Sequence, residues 1–574
     1  MLFFVYLQKQ TILNTEYMNN TTSKIAGHIV DIENERVYTG TVSVADGRIT
    51  LQEQPSLPLS SDAPYILPGF VDSHIHIEST LLLPENFARL AVRQGTVAAV
   101  CDPHEIANVL GIAGIDYMIE SGRKTHFHFY NAAPSCVPST CFETAGAAIG
   151  PEEIESLMQR DDIFGLAEMM NAFGAVNGDP EVLAKIAAAQ RHGKPIDGHA
   201  PGFRGEDARK YVALGVSTDH ECTSLAEAEE RIILGMKILI REGSAACDFE
   251  ELSPLLAKYG DMLMFCTDDK YADELMQGHI NTLVQRAVAK GYPLWNVLRA
   301  ACVTPVKHYR LRHGILRDGD PADFILVDNL SDFNIMQTWL DGVKVYDRNE
   351  HTPDSVCRTT GCETPQVLPN QFKAQPLEVS ALRIAIPAGT ERIKVIAATE
   401  GSLITRCMTA APRVVDGNMV SNPDEDVLKL VVLNRYAAAP PAIAFIHGFQ
   451  LQRGAIASTI AHDCHNIIAL GCSDEEIVRA VNHLISTQGG IAACDGQQIW
   501  DLTLPVAGLM SPLSGEDAGR KHIELKAKVR EMGCPFAAPY MTLAFMALPV
   551  IPELKLTDKG LFDGTRFEFT SILA

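Results

Sequence analysis

Pro68-Gly69-Phe70-Val71-Asp72-Ser73-His74-Ile75-His76 reads as an apolar strand ending in two histidines one residue apart. Alternate residues of a strand face the same side. His74 and His76 therefore aim both imidazoles at one point, while Ile75 packs the other way. At the C-terminal end of a strand in a parallel barrel, that point is the face where active sites are built. His-x-His alone is a weak sign of metal binding; the apolar lead and the Pro-Gly entry strengthen it.

Further along, other strand candidates end in metal-competent residues. Glu168 closes Gly165-Leu166-Ala167, His199 follows Pro195-Ile196-Asp197-Gly198, His220 follows Val216-Ser217-Thr218-Asp219, and Asp268 follows Met264-Phe265-Cys266-Thr267. Starting from His76, the successive intervals are 92, 31, 21 and 48 residues. With about 30 residues per βα unit in a barrel of about 250, these are strands 1, 4, 5, 6 and 8. Any one of these residues has an ordinary structural reading. Five strand ends at consistent spacing are hard to obtain by accident.

Four histidines and two carboxylates exceed the ligand set of one tetrahedral zinc. They suit two divalent ions, with Glu168 shared between them. Mixed nitrogen and oxygen ligation without thiolate admits zinc, manganese or iron. Two ions acidify a water jointly, and Asp268 is placed to accept its proton and pass it to a leaving group. The reaction class is metal-assisted hydrolysis.

The rest of the chain fits around that barrel. Its 574 residues are too many for one compact domain, and a soft prior of about 150 residues per domain gives three to four units. With 47% apolar and 21% charged residues, there is material for sizeable cores. The net charge of −23 disfavours a nucleic-acid partner and suits a neutral or cationic substrate or a divalent metal. The fourteen cysteines include no CxxC pair and read as reduced thiols of a cytoplasmic protein. No apolar run is long enough to span a bilayer, so no membrane partner is expected.

The expected fold class is α/β: a (β/α)8 TIM barrel of a metal-dependent hydrolase over residues 68–306. A small β-sandwich domain is built from the flanking segments 23–67 and 307–350. An N-terminal extension covers 1–22, a polar linker 351–378, and a C-terminal α+β domain 379–574. Helices are expected at 106–114, 180–191, 474–486 and 515–531, and C-terminal strands at 393–397 and 442–446.

Beyond the histidine pair, several stretches carry a resemblance. They are His74-Ile75-His76-Ile77-Glu78-Ser79, Cys101-Asp102-Pro103-His104-Glu105-Ile106-Ala107-Asn108, Ala167-Glu168-Met169-Met170-Asn171 and Asp197-Gly198-His199-Ala200-Pro201-Gly202. Ser217-Thr218-Asp219-His220-Glu221-Cys222-Thr223, Arg241-Glu242-Gly243-Ser244-Ala245-Ala246, Phe265-Cys266-Thr267-Asp268-Asp269, Gly278-His279-Ile280-Asn281 and Ala461-His462-Asp463-Cys464-His465-Asn466 continue it. From about residue 24 to the C-terminus the chain resembles the amidohydrolase superfamily, and more closely its adenine deaminases of the bacterial and archaeal type.

That resemblance implies hydrolytic deamination of adenine to hypoxanthine and ammonia in purine salvage, at a binuclear centre in the barrel. It makes His74, His76, Glu168, His199, His220 and Asp268 the ligands, with Glu168 standing where related enzymes carry a carboxylated lysine. Manganese or iron are the expected ions, and zinc is compatible. Another aminopurine or a cyclic amide is the alternative substrate, and a homodimer is the expected assembly.

An acid near the ring nitrogen N1 is also needed. Glu105 and Glu221 are the candidates, while Glu78, Asp102 and His104 are candidate substrate contacts. The same stretch around Asp102 also reads as an acidic helix N-terminus. His279 is a candidate partner behind the ligands, with a purely structural role equally open. His462, Asp463 and His465 are candidates for an extra metal or for closing the pocket.

Overall fold

The computed structural model describes residues 23–350, 355–358 and 368–574. The expected extension 1–22 and linker residues 351–354 and 359–367 lie outside the described residues.

Eight short parallel strands form the central barrel: Phe70–Ile75, Thr96–Cys101, His128–Ala133, Ile163–Met169, Ile196–Gly198, Thr218–Asp219, Lys237–Arg241 and Leu263–Cys266. The first five are hydrogen-bonded side by side, as are the last three. Ser217 N donates to Ile196 O at 2.9 Å across the junction, and a parallel bridge between Ile75 and Asp268 closes the ring. The strands are apolar nearly throughout because both faces are covered, one by the barrel interior and one by helices.

The helices carry their own start signals. Asp179 caps Pro180–Arg191, accepting from Glu181 N at 2.9 Å, with Pro180 in the first turn. The expected helix at 106–114 is instead two, His104–Leu110 and Ile112–Arg123. They are divided at Gly111, whose φ of +64° is cheap only for glycine.

The Pro-Gly entry to the first strand has a steric cause. A Cβ on Gly69 would lie 2.1 Å from Val97 Cγ1 on the neighbouring strand. Gly69→Ala is expected to cost about 1–3 kcal/mol through overpacking, read as a lowered midpoint in thermal melts.

The flanking segments pair in one seven-stranded sheet. Strand Tyr65–Pro68 from one side lies between Ser23–Asp31 and Phe324–Val327 from the other. The sheet curls over a core that includes Ile29, Val42, Ile66, Phe324 and Trp339. Its outer strand Arg48–Glu53 meets residues 319–321, with Ile49 N donating to Asp320 O at 3.0 Å.

The C-terminal region is an eight-stranded, mostly antiparallel sheet with helices Asp474–Thr487 and Gly515–Glu531. Part of the expected linker belongs to it: Ala374 is buried in its core, and Phe372 and Leu377 pack against that core. Three apolar residues spaced through a polar stretch are an inconspicuous signal. The second helix docks on the barrel, where His522 Nδ1 lies 2.8 Å from Asp273 Oδ1. No helix among the described residues is long and apolar enough to cross a membrane.

Lys555 is fully buried in the C-terminal region, and its Nζ donates to Leu403 O at 2.7 Å. Burial pushes its ammonium down to about 7, from 10.5. Between those values the unfolded chain binds more protons, so this group makes stability rise with pH from about 7 to 10.5. Its full cost is present below pH 7. Lys555→Met is expected to flatten that slope and to stabilise at pH 7 by about 2–4 kcal/mol. Melting temperatures across the window test this.

Candidate active site at the mouth of the barrel

The strand ends converge as their spacing predicts. His76 donates its Nδ1–H to the carbonyl of Asp102 at 2.9 Å, which leaves Nε2 free to face the centre. From there Nε2 lies 3.0 Å from Asp268 Oδ1 and 3.4 Å from Glu168 Oε1. His74 Nε2 is buried without a hydrogen-bond partner, 3.5 Å from Asp268 Oδ1. Its ring stacks on His220 at 4.2 Å. The other Glu168 oxygen, Oε2, faces His199 Nδ1 at 2.7 Å and His220 Nε2 at 3.2 Å.

One carboxylate thus presents its two oxygens to two separate sets of imidazoles. An orphaned imidazole nitrogen on His74, a His76 tautomer fixed from behind and a shared carboxylate form a donor set that fits two divalent ions. Manganese, iron and zinc all accept these ligands. Cys101 and Cys266 stand beside the site, where burial pushes both thiols well above their usual pKa.

The charges are strongly biased. Burial alone would raise the Glu168 carboxyl, but His199 and His220 hold it well below the usual range. Burial likewise opposes ionisation of Asp268, and hydrogen bonds from His74 and His76 overcome it. Both groups are carboxylates at neutral pH. Asp268 sits at φ +57°, in the left-handed region, with its N donating to His74 O at 2.9 Å and its O accepting from His76 N at 3.1 Å.

Behind it, Asp72 Oδ1 accepts from Thr267 N at 3.1 Å, and its Oδ2 lies 2.8 Å from His279 Nε2. The other nitrogen of His279 meets Thr96 Oγ1 at 2.7 Å. His279 therefore props up the turn that aims Asp268 and does not itself face the pocket.

Arg241, at the end of the seventh strand, was given no role from sequence. Its buried guanidinium pairs with both oxygens of Glu221, reaches Asp268 Oδ2 at 2.8 Å and meets Asp248 Oδ2 at 3.0 Å. The available signal was its position, a charge at the end of the apolar run Ile238-Leu239-Ile240.

Glu221 Oε1 lies 3.3 Å from His220 Nε2 and 3.7 Å from His199 Nδ1. Burial would raise its carboxyl, but Arg241 with the two histidines pulls it well below the usual range. Both its oxygens accept from the Arg241 guanidinium, an arrangement that suits a carboxylate accepting hydrogen bonds at the pocket wall.

The remaining candidates divide. His104 lines the pocket, with Nδ1 3.2 Å from Asp102 Oδ2 and 3.5 Å from Glu168 Oε1. Asp102 therefore orients His104 and, through its carbonyl, His76. Glu105, one residue on, is fully buried beneath the pocket. It accepts from Ser79 Oγ at 2.5 Å and faces His462 and His465, on the side of the C-terminal loop.

Glu78 is also buried, accepts from Ile106 N at 3.2 Å and is pushed up to about 8 by burial and by Glu105. It supports the start of the helix and is absent from the pocket lining. From the C-terminal region, Asp463 Oδ1 comes within 3.8 Å of His104 Nε2. Leu403, Phe545, Leu548 and Ile551 form an apolar roof that the sequence did not announce.

A barrel with histidines and carboxylates gathered at its strand ends defines a metal-dependent hydrolase of the amidohydrolase class. The family model "Amidohydrolase family" matches residues 65–345, and "Adenine deaminase C-terminal domain" matches residues 402–568. The chain is 49% identical over 549 residues to "Adenine deaminase" of Salinibacter ruber (strain DSM 13855 / M31), covering 95% of this chain and 98% of that protein. It is 46% identical over 568 residues to "Adenine deaminase" of Methanosarcina mazei (strain ATCC BAA-159 / DSM 3647 / Goe1 / Go1 / JCM 11833 / OCM 88), covering 96% and 99%. It is 49% identical over 547 residues to "Adenine deaminase" of Sulfurovum sp. (strain NBC37-1), covering 95% and 99%. The chain belongs to the adenine deaminase family of amidohydrolases.

Proposed function

We propose that this chain hydrolyses adenine to hypoxanthine and ammonia with two divalent ions at the barrel mouth, returning a free base to purine salvage. The observation that carries the two-ion reading is Glu168, whose oxygens face different histidines at 3.4 Å and 2.7 Å. His74, His76 and Asp268 would hold one ion and His199 and His220 the other, with Glu168 offering an oxygen to each. Divalent ions held there would supply Lewis acidity and bring the pKa of water down toward 7.

The protein groups do the rest. Asp268 takes a proton from the attacking water and delivers it to N1 as the water oxygen bonds to C6. It then moves the proton of the new C6 hydroxyl to the amino group. The C6–N bond breaks, ammonia leaves and the carbonyl of hypoxanthine remains. Glu221, ionised and clamped by Arg241, accepts a hydrogen bond from the substrate edge. The roof of Leu403, Phe545 and Leu548 covers the flat base and excludes bulk water.

Ammonia release from adenine, other aminopurines and a cyclic amide, measured with manganese- or iron-loaded protein, tests the substrate. Adenine is expected to lead by at least about tenfold in kcat/KM, since a purine lacking the matched hydrogen-bonding edge leaves buried polar groups unpaired. Exclusive turnover of a cyclic amide would overturn the reading.

A further inference from the structure

A second cluster of metal-competent side chains lies where the C-terminal region meets the barrel, apart from the ligands above. Glu105 opens a helix of the barrel, while His462 and His465 belong to the loop between strands Ala455–Ser458 and Ile467–Gly471. All three are buried, and their candidate ligand atoms lie within 4.8 Å of one another. His462 Nδ1 is 4.0 Å from Glu105 Oε1, and His465 Nε2 is 4.0 Å from Glu105 Oε2.

Their hydrogen bonding is unfinished. Glu105 Oε2, both ring nitrogens of His465 and His462 Nε2 are buried with no hydrogen-bond partner. Orphans of this kind are rare in folded proteins and call for an explanation such as an ion. The loop is also held firmly. Tyr436 donates to Cys464 O at 2.6 Å, Asn466 Nδ2 donates to Thr144 O at 3.0 Å, and the His462 ring stacks on Phe545 at 4.3 Å.

We propose that Glu105, His462 and His465 form a third divalent-cation site joining the C-terminal region to the barrel. Two imidazoles and one carboxylate are the ligand set of many zinc, manganese and iron sites. An ion about 2.1 Å from each ligand sets ligand separations of about 3.4 Å in a tetrahedron. The ligand atoms, now within 4.8 Å of one another, therefore draw together on binding. The ion fixes the loop that carries Asp463, so it positions Asp463 against His104 at the pocket wall.

Metal content of the full chain, grown with manganese and equilibrated in a manganese buffer, is the test. The wild type is expected to hold one equivalent more than His465→Asn and one more than Glu105→Gln, which approach the site from opposite sides. Anomalous scattering from wild-type crystals at the manganese edge is expected to show a peak among Glu105, His462 and His465. That reading needs no variant to fold. Variants that keep the wild-type metal count, or wild-type crystals with no peak at this position, would overturn the proposal. Failure of the two-ion reading at Glu168 would appear as missing peaks at the barrel ligands and leaves this comparison intact.

Discussion

Asp268→Asn is expected to lower kcat for ammonia release from adenine by about 10²–10⁴-fold, the usual contribution of a positioned proton-transfer group. The substitution is well matched to its site. Asparagine is nearly isosteric, and it accepts the left-handed backbone that Asp268 adopts at φ +57°. Arg241 keeps Glu221 and Asp248 as partners, so the guanidinium is not left unpaired. The melting temperature should therefore stay near that of the wild type while turnover collapses. Turnover within about tenfold of wild type would remove Asp268 from the proton path.

Glu168→Gln should be still more damaging, because on the proposed two-ion reading it strikes both ions at once. The carboxamide has one acceptor oxygen and no charge, yet two sets of histidines depend on the two Glu168 oxygens. Changes behind a ligand already cost about 10–100-fold in metal affinity or activity. Loss of the shared ligand should cost at least about 10³-fold in activity and release both barrel ions. Metal analysis against wild type, alongside kcat, checks this. A variant that keeps its barrel ions and most of its turnover would show that Glu168 is not shared between them.

The cluster of candidate ligands was legible in the sequence because a strand end is a strong local signal. Period-2 alternation fixes which of His74, Ile75 and His76 point inward, and the length of a βα unit fixes the strands to which Glu168, His199, His220 and Asp268 belong. Arg241 occupies the same kind of strand end. It escaped notice because an arginine after an apolar run also reads as a side chain with a buried stem and a wet head.

The direction in which Glu105 points was not legible, for a different reason. His104 and Glu105 open a helix, where successive residues point about 100° apart. His104 faces Glu168, while Glu105 turns to the C-terminal loop. Residue spacing alone does not set that rotation. The apolar roof was invisible for a third reason: Leu403 and Phe545 come from segments far from the barrel in sequence, and nothing local marks them as neighbours of His104. The split β domain, by contrast, was readable from strand-rich segments on both sides of the barrel, which share one sheet.

The most direct test of adenine hydrolysis at this site is a single turnover product analysis. Manganese-loaded chain is given adenine in water enriched in oxygen-18, and the products are resolved by mass spectrometry. The account predicts hypoxanthine carrying one heavy oxygen, with one ammonia released per hypoxanthine formed. Adenine recovered unchanged, by a protein shown to hold its barrel ions, would contradict it.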